Sequence, residues 1–263
     1  MEDTLKKLQV LRMKDSNESF HRKKGLLLDL PFKLGIFGKS QLSGKTNFLG
    51  WFLLYDDNRL YLNEFEGENI YLISASAKTD DKLKTLILNK DIPSSNIFTK
   101  YDEDVIETLY EILEENFHSA CDKYKESKKD EDRPVHNLMI FDDMSFGQNF
   151  KNSGILEKIF CNGRHTLTSS IITAQKYTQI PTCIREQLTG AVLFSSSEKQ
   201  LELMTEDHNY LQNKKEFKKL FRENTAKKHD FLFINYSNDI KDRYMNSNFE
   251  ITKKKIKFII GMY

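Results

Sequence analysis

Cysteine is scarce: Cys121, Cys161 and Cys183 are the three in 263 residues. Their odd number, wide spacing and lack of a C-x-x-C pair exclude a disulfide framework, and they read as reduced thiols in a cytosol-like compartment, with no metal site. Long apolar runs are missing too. The longest, residues 48–55, falls far short of the ~20 residues that a membrane-spanning helix needs. Residues 1–14 alternate charge with leucine and lack the apolar stretch of a secretory signal. There is little net charge, since 40 Lys and Arg stand against 39 Asp and Glu. Bulk charge therefore gives no argument for nucleic acid. Hydrophobic residues at 39% and aromatics at 12% supply a sizeable core, enough for one large domain or a core with an appendage.

Charge is unevenly distributed. Residues 101–133 carry twelve acids and five bases, and residues 208–263 carry thirteen bases and six acids. The pattern fits two solvated faces of opposite sign, or a basic surface turned towards a polyanion. In the second reading Lys214, Lys215, Lys218, Lys219 and Arg222 share a helix, and Lys253, Lys254 and Lys255 precede a last strand at 256–260.

The chain alternates short apolar runs with helical patterns. Residues 1–25 read as a polar, loosely attached arm. Residues 32–37, 69–74, 96–99, 137–141, 169–173, 191–194 and 231–235 read as strands. Residues 45–55, 80–88, 104–124, 156–160 and 198–221 read as helices, the third with Val105, Leu109, Ile112, Leu113 and Phe117 on one side. Several strands are unbroken apolar runs, the mark of a parallel sheet covered on both faces. The expected architecture is α/β: an arm to residue 25, a core over 26–200, and a basic extension over 201–263 completing the sheet.

Gly44-Lys45-Thr46 follows a strand and opens a helix. A triphosphate needs backbone N–H groups aimed into one concavity, a lysine at the terminal phosphates and a hydroxyl on Mg²⁺; a helix N-terminus adds partial positive charge. This setting suits an ATP phosphate loop built from Gly38, Ser40, Ser43, Gly44, Lys45, Thr46 and Asn47. Its spacing is irregular, because the usual first glycine position is Lys39 and Gly38 lies one residue further out. Residues 137–141 lead into Asp142-Asp143. An acid at the carboxyl end of a buried strand can hold Mg²⁺ opposite Thr46, which gives Asp142 the metal and Asp143 the attacking water. Turn acids are the plainer reading. Gln175 ends the next strand, placed to contact the γ-phosphate or the water. Arg164 and Arg185 are candidates for the cation that phosphoryl transfer wants, often supplied by a neighbouring subunit.

Taken in order, Gly44-Lys45-Thr46, NLMIFDD (137–143), Asn162-Gly163-Arg164-His165, SSIITAQ (169–175), Ile180-Pro181 and Ile184-Arg185 form a series. It resembles the DNA-packaging ATPases of large double-stranded DNA viruses and virophages, the poxvirus-type branch of the FtsK–HerA superfamily, over about residues 30–195. The resemblance implies a RecA-like core and a ring-shaped homo-oligomer, a pentamer or hexamer. It implies ATP and Mg²⁺ as cofactors, and double-stranded DNA and capsid or portal-vertex proteins as partners. The setting it implies is the cytoplasm of an infected cell at the site of virus assembly, or the virion. Gln175 becomes the sensor and Arg164 the arginine finger. Two departures stand out: the loop spacing, and Asp143 where bacterial relatives carry Glu. Another P-loop translocase or helicase, or a nucleotide-gated assembly factor with little turnover, shares the same motifs.

Overall fold

The computed structural model describes residues 17–39, 43–143 and 153–252. Among these, eight strands form one sheet in the order β3-β2-β4-β5-β1-β6-β7-β8. They are β1 (Lys33–Phe37), β2 (Ile70–Ser74), β3 (Ile97–Phe98), β4 (Asn137–Asp142), β5 (Thr168–Ala174), β6 (Gly190–Phe194), β7 (Phe231–Asn235) and β8 (Tyr244–Met245). The first six in spatial order, β3 to β6, pair in parallel, whereas β7 and β8 each run antiparallel to the preceding strand.

Parallel neighbours need crossover connections, and here helices supply them. The helices are α1 (Lys45–Leu54), α2 (Asp81–Asn89), α3 (Glu103–Ser127), α4 (Gly154–Asn162), α5 (Thr182–Glu186), α6 (Glu198–His208) and α7 (Lys214–Asn224). Local chemistry starts several of them. Asp80 accepts from the amides of Lys82 and Leu83, and Asn213 accepts from the amide of Glu216. Such caps satisfy N–H groups that the first turn leaves without a helical partner.

Strand alternation splits the core into two layers. Leu34, Ile36, Leu138 and Ile140 pack with Phe48 and Phe52 of α1 and Leu83 of α2. Phe37, Met139 and Phe141 pack on the other face with Tyr110 of α3, Ile159 of α4 and Phe217 of α7. With both faces covered, β1, β4, β5 and β6 are buried throughout, which explains the nearly continuous apolar runs of β4 and β6 and the small buried hydroxyls of β5.

The structure departs from the sequence reading at several places. The buried stripe of α3 is Ile106, Tyr110, Leu113 and Phe117, while Val105 and Ile112 are exposed. The helix expected over 198–221 is two, α6 and α7, folded against each other. The end of the polar arm is fastened rather than loose: Phe20 is buried against Phe117 and Leu167, and the Asn17 amide donates to the carbonyls of Arg164 and His165. The basic residues of α7 face acids. Lys218 pairs with Glu202 and Glu198, Arg222 with Glu198 at 2.8 Å, and Lys214 with Glu206 at 3.1 Å. This ladder neutralises much of the basic face expected there. Residues 253–260, the lysine run and last strand of the sequence reading, lie outside the described residues.

Two buried imidazoles make the fold acid-sensitive. His136, ahead of β4, donates through Nε2 to the Phe20 carbonyl, and burial pushes it down to about 4. His208, at the end of α6, is stacked on Tyr236 and pushed down by burial to about 3. Both lie below the ordinary histidine value of 6.5. Between the folded and unfolded values the unfolded chain binds more protons, so stability is complete above pH 6.5 and falls as pH drops through that window. At pH 5.5 each histidine costs about 1.4 kcal/mol. Thermal melts at pH 7.5 and 5.5 should show a clear drop in Tm at the lower pH, and equal melting temperatures would mean that water reaches both rings.

Candidate nucleotide site

The carboxyl end of β1 runs straight into the loop that precedes α1. Gly38 passes close to its neighbours. A Cβ there would lie 2.6 Å from Ser43 Cβ and 2.8 Å from Phe194 Cβ, so only glycine fits. Gly44 has φ +89°, a left-handed conformation that glycine adopts without the clash of a Cβ. Ser43 Oγ donates to the Lys39 carbonyl at 2.7 Å. Lys45 turns back across the loop, and its Nζ donates to the Gly38 carbonyl at 2.8 Å. Gly38, one residue outside the usual position, therefore still marks the start of a loop that the lysine spans. Ser40 lies outside the described residues. Thr46 is partly exposed on the first turn of α1 and Asn47 is exposed beside it.

Lys45 is buried, at 8% exposure. Burial lowers its pKa from the ordinary lysine value, and the carboxylates of Asp143 and Asp142 oppose that shift. A buried ammonium needs an opposite charge beside it, and phosphate oxygens can supply one.

The acids arrive from two strands away. β5 lies between β1 and β4, and the register pairs Ile36 with Thr173 and Phe141 with Ile172. All three strands are parallel, so Asp142 at the end of β4 stands on the same sheet edge as the loop after β1. Asp142 is 4% exposed. Thr173 Oγ1 donates to its Oδ1 at 2.8 Å and Ser74 Oγ to its Oδ2 at 3.1 Å. Burial raises its pKa, with the two hydroxyls working against that rise.

Asp143 follows with φ 47°, and its amide donates to Thr173 Oγ1 at 2.8 Å. The Gln175 amide nitrogen reaches across from the end of β5 to both oxygens of Asp143, at 2.7 and 3.0 Å. Thr173 thus ties the two acids together, and Gln175 fixes the second of them. Ser74 and Thr173 escaped the sequence reading; their one signal was a hydroxyl at the end of a strand next to an acid-tipped strand.

The two arginine candidates separate. Arg185 is engaged internally: it pairs with Asp207 at 2.5 Å, donates to Thr182 Oγ1 at 2.9 Å and stacks over the Tyr177 ring. Arg164 is exposed in the short 3-10 turn Gly163–Thr166, ahead of β5. That is the amino edge of the sheet. The seven residues of β5 at ~3.3 Å each put it on the order of 20 Å from Gln175. Within one subunit Arg164 does not join the site.

These side chains suit Mg²⁺ with a triphosphate. Mg²⁺ keeps several waters and takes one or two protein oxygens plus phosphate oxygens. A buried carboxylate whose two oxygens each hold one hydroxyl still has lone pairs to offer. Asp142, directly or through water, and Thr46 would hold the ion, which neutralises charge on the phosphates. Among the described residues, no cluster of three or more His, Cys, Asp or Glu forms a metal cage of its own.

Comparison with known proteins gives the same picture. Among solved structures, the chain is similar to the genome packaging NTPase B204 from Sulfolobus turreted icosahedral virus 2 in complex with AMPPCP. That match has 13% identity, a TM-score of 0.52, and covers 82% of this chain and 96% of that one. The same NTPase in complex with ATP-gammaS matches at 16% identity and a TM-score of 0.52, covering 82% and 95%. The pCW3 conjugation coupling protein TcpA, monomer form with ATPgS, matches at 13% identity and a TM-score of 0.50, covering 80% and 60%. At such identities the likeness establishes the fold alone: the α/β core, a mostly parallel sheet with helices on both faces, is that of these nucleotide-bound proteins. No curated protein matches the sequence. The family model described as "Poxvirus A32 protein" matches residues 17–256, a span that takes in every described residue. The chain belongs to the poxvirus A32 protein family.

Proposed function

We propose that this chain is an ATP-hydrolysing motor that drives double-stranded DNA into a preformed capsid, working as a ring of identical subunits in the cytoplasm of the infected cell. One observation carries most weight. The strand order β4-β5-β1 gathers Lys45, Asp142, Asp143 and Gln175 at one sheet edge from segments up to 130 residues apart. That arrangement has the parts hydrolysis needs.

In the working cycle Lys45 exchanges the Gly38 carbonyl for the β- and γ-phosphate oxygens. The loop amides and the positive end of α1 take the remaining charge. Asp143 accepts a proton from the attacking water while Gln175 holds its carboxylate in line. Catalysis of this kind is positioning plus electrostatic stabilisation, and the groups here are already fixed by hydrogen bonds. Arg164 completes a neighbour's site rather than its own. Among the described residues no helix is long and apolar enough to cross a membrane.

ATP turnover measured with and without duplex DNA, alongside the mass of the assembled particle, tests the motor. Turnover should rise on adding duplex, and DNA affinity should fall steeply with salt through phosphate contacts. Strand separation on a forked duplex would instead indicate a helicase. Tight ATP binding with no DNA-stimulated turnover would favour an assembly factor.

A further inference from the structure

Asp142, Asp143 and Gln175 lie to one side of β1, at the ends of β4 and β5. A nucleotide whose terminal phosphate faces them must extend the other way, across the ends of β6 and β7. On that side a cavity of about 150 Å³ opens between Lys39 and Ser43 of the phosphate loop, Ser195 beyond β6, and the turn 227–230 that links α7 to β7. A cavity of about this volume accommodates a benzene-sized ring, and this one is lined by Lys, Ser, His and Asp side chains together with Phe194.

The turn is held in place. Asp230 N donates to the Lys227 carbonyl at 3.2 Å, and Ser247 Oγ donates to Asp230 Oδ1 at 3.2 Å from the segment after β8. His229 has φ 72°, a conformation that costs a side-chain-bearing residue energy. The result is an imidazole set against the phosphate loop: a Cβ on Gly44 would lie 3.0 Å from His229 Nδ1. Lys227 and Lys228 are exposed beside it. They stand apart from the lysines of α7 that pair with glutamates.

We infer that the turn 227–230 is the nucleoside end of the ATP site. His229 packs on the base, and Lys227 and Lys228 hold the phosphate nearest the ribose. This rests on the nucleotide reading above. It takes part of the basic C-terminal segment away from DNA and gives it to ATP, so the strands that complete the sheet also complete the pocket. The chemical class recognised is a nucleoside 5′-phosphate.

Equilibrium binding of ADP, AMP and inorganic tripolyphosphate to the full chain tests the assignment, with wild type beside H229A and the K227A/K228A pair. Either variant should bind ADP and AMP about tenfold more weakly than wild type. H229A should leave tripolyphosphate binding unchanged, since that ligand has no base. In steady-state hydrolysis the loss should fall on KM more than on kcat. ADP affinity equal to wild type in both variants would overturn the inference. So would an equal loss for tripolyphosphate in H229A, or weakened duplex affinity with ADP binding intact. A wild-type chain that binds no ADP would instead sink the nucleotide reading itself.

Discussion

Replacing Lys45 with alanine should abolish the proposed ATP hydrolysis, lowering turnover by on the order of 10³-fold, the loss typical of removing a preorganised charge stabiliser from a dry site. Among the described residues the ammonium is the one cation buried beside both acids, and it already lies across the loop on the Gly38 carbonyl. Alanine leaves the amino end of α1 in place, so some nucleotide should still bind. What is lost is compensation of the charge that shifts to the β–γ bridge as the bond breaks. Because Lys45 donates to a loop carbonyl and not to a core group, the variant should melt within a few degrees of wild type. Phosphate release at saturating ATP, with the melt recorded in parallel, is the measurement. Normal turnover in the folded variant would remove the basis for an ATPase.

The parts of this site visible in the sequence are those whose chemistry sits at the tip of a strand. Central parallel strands are buried on both faces, so residues 137–141, mostly apolar, and 169–173, with small hydroxyls around Ile171 and Ile172, are recognisable as strands, and the polar residue just beyond each marks the sheet edge. Asp142, Asp143 and Gln175 were found in this way. What no local pattern carries is the strand order. β5 separates β1 from β4 only in space, and that spacing makes Thr173 the hydroxyl shared by both acids. The basic helix shows the same limit. Lys218 and Arg222 look like a polyanion surface until α6 folds back and sets Glu198 and Glu202 against them. In α3, Val105 and Ile112 are apolar at helical spacing, yet the packed stripe keeps Leu113 and Phe117 and adds Ile106 and Tyr110 instead. β8, two residues long, is too short to show any period.

Mixing two inactive variants, Lys45→Ala and Arg164→Ala, should restore ATP turnover that neither shows alone. Arg164 stands at the amino edge of the sheet, beyond side-chain reach of its own Gln175, and its guanidinium is exposed. An arginine brought to a neighbour's γ-phosphate contributes about 10³-fold or more to turnover, so Arg164→Ala alone should be nearly silent while still binding nucleotide. The backbone there does not depend on the side chain, because Asn17 holds the carbonyls of Arg164 and His165. In a ring with head-to-tail interfaces, random equal mixing gives about a quarter of interfaces an intact Lys45 pocket facing an intact Arg164. Phosphate release after subunit exchange should therefore reach up to that fraction of wild type, and less where firing is coordinated around the ring. A mixture no more active than the sum of its two components would mean that Arg164 serves no neighbour. Full activity of Arg164→Ala by itself would mean that hydrolysis needs no arginine from this turn.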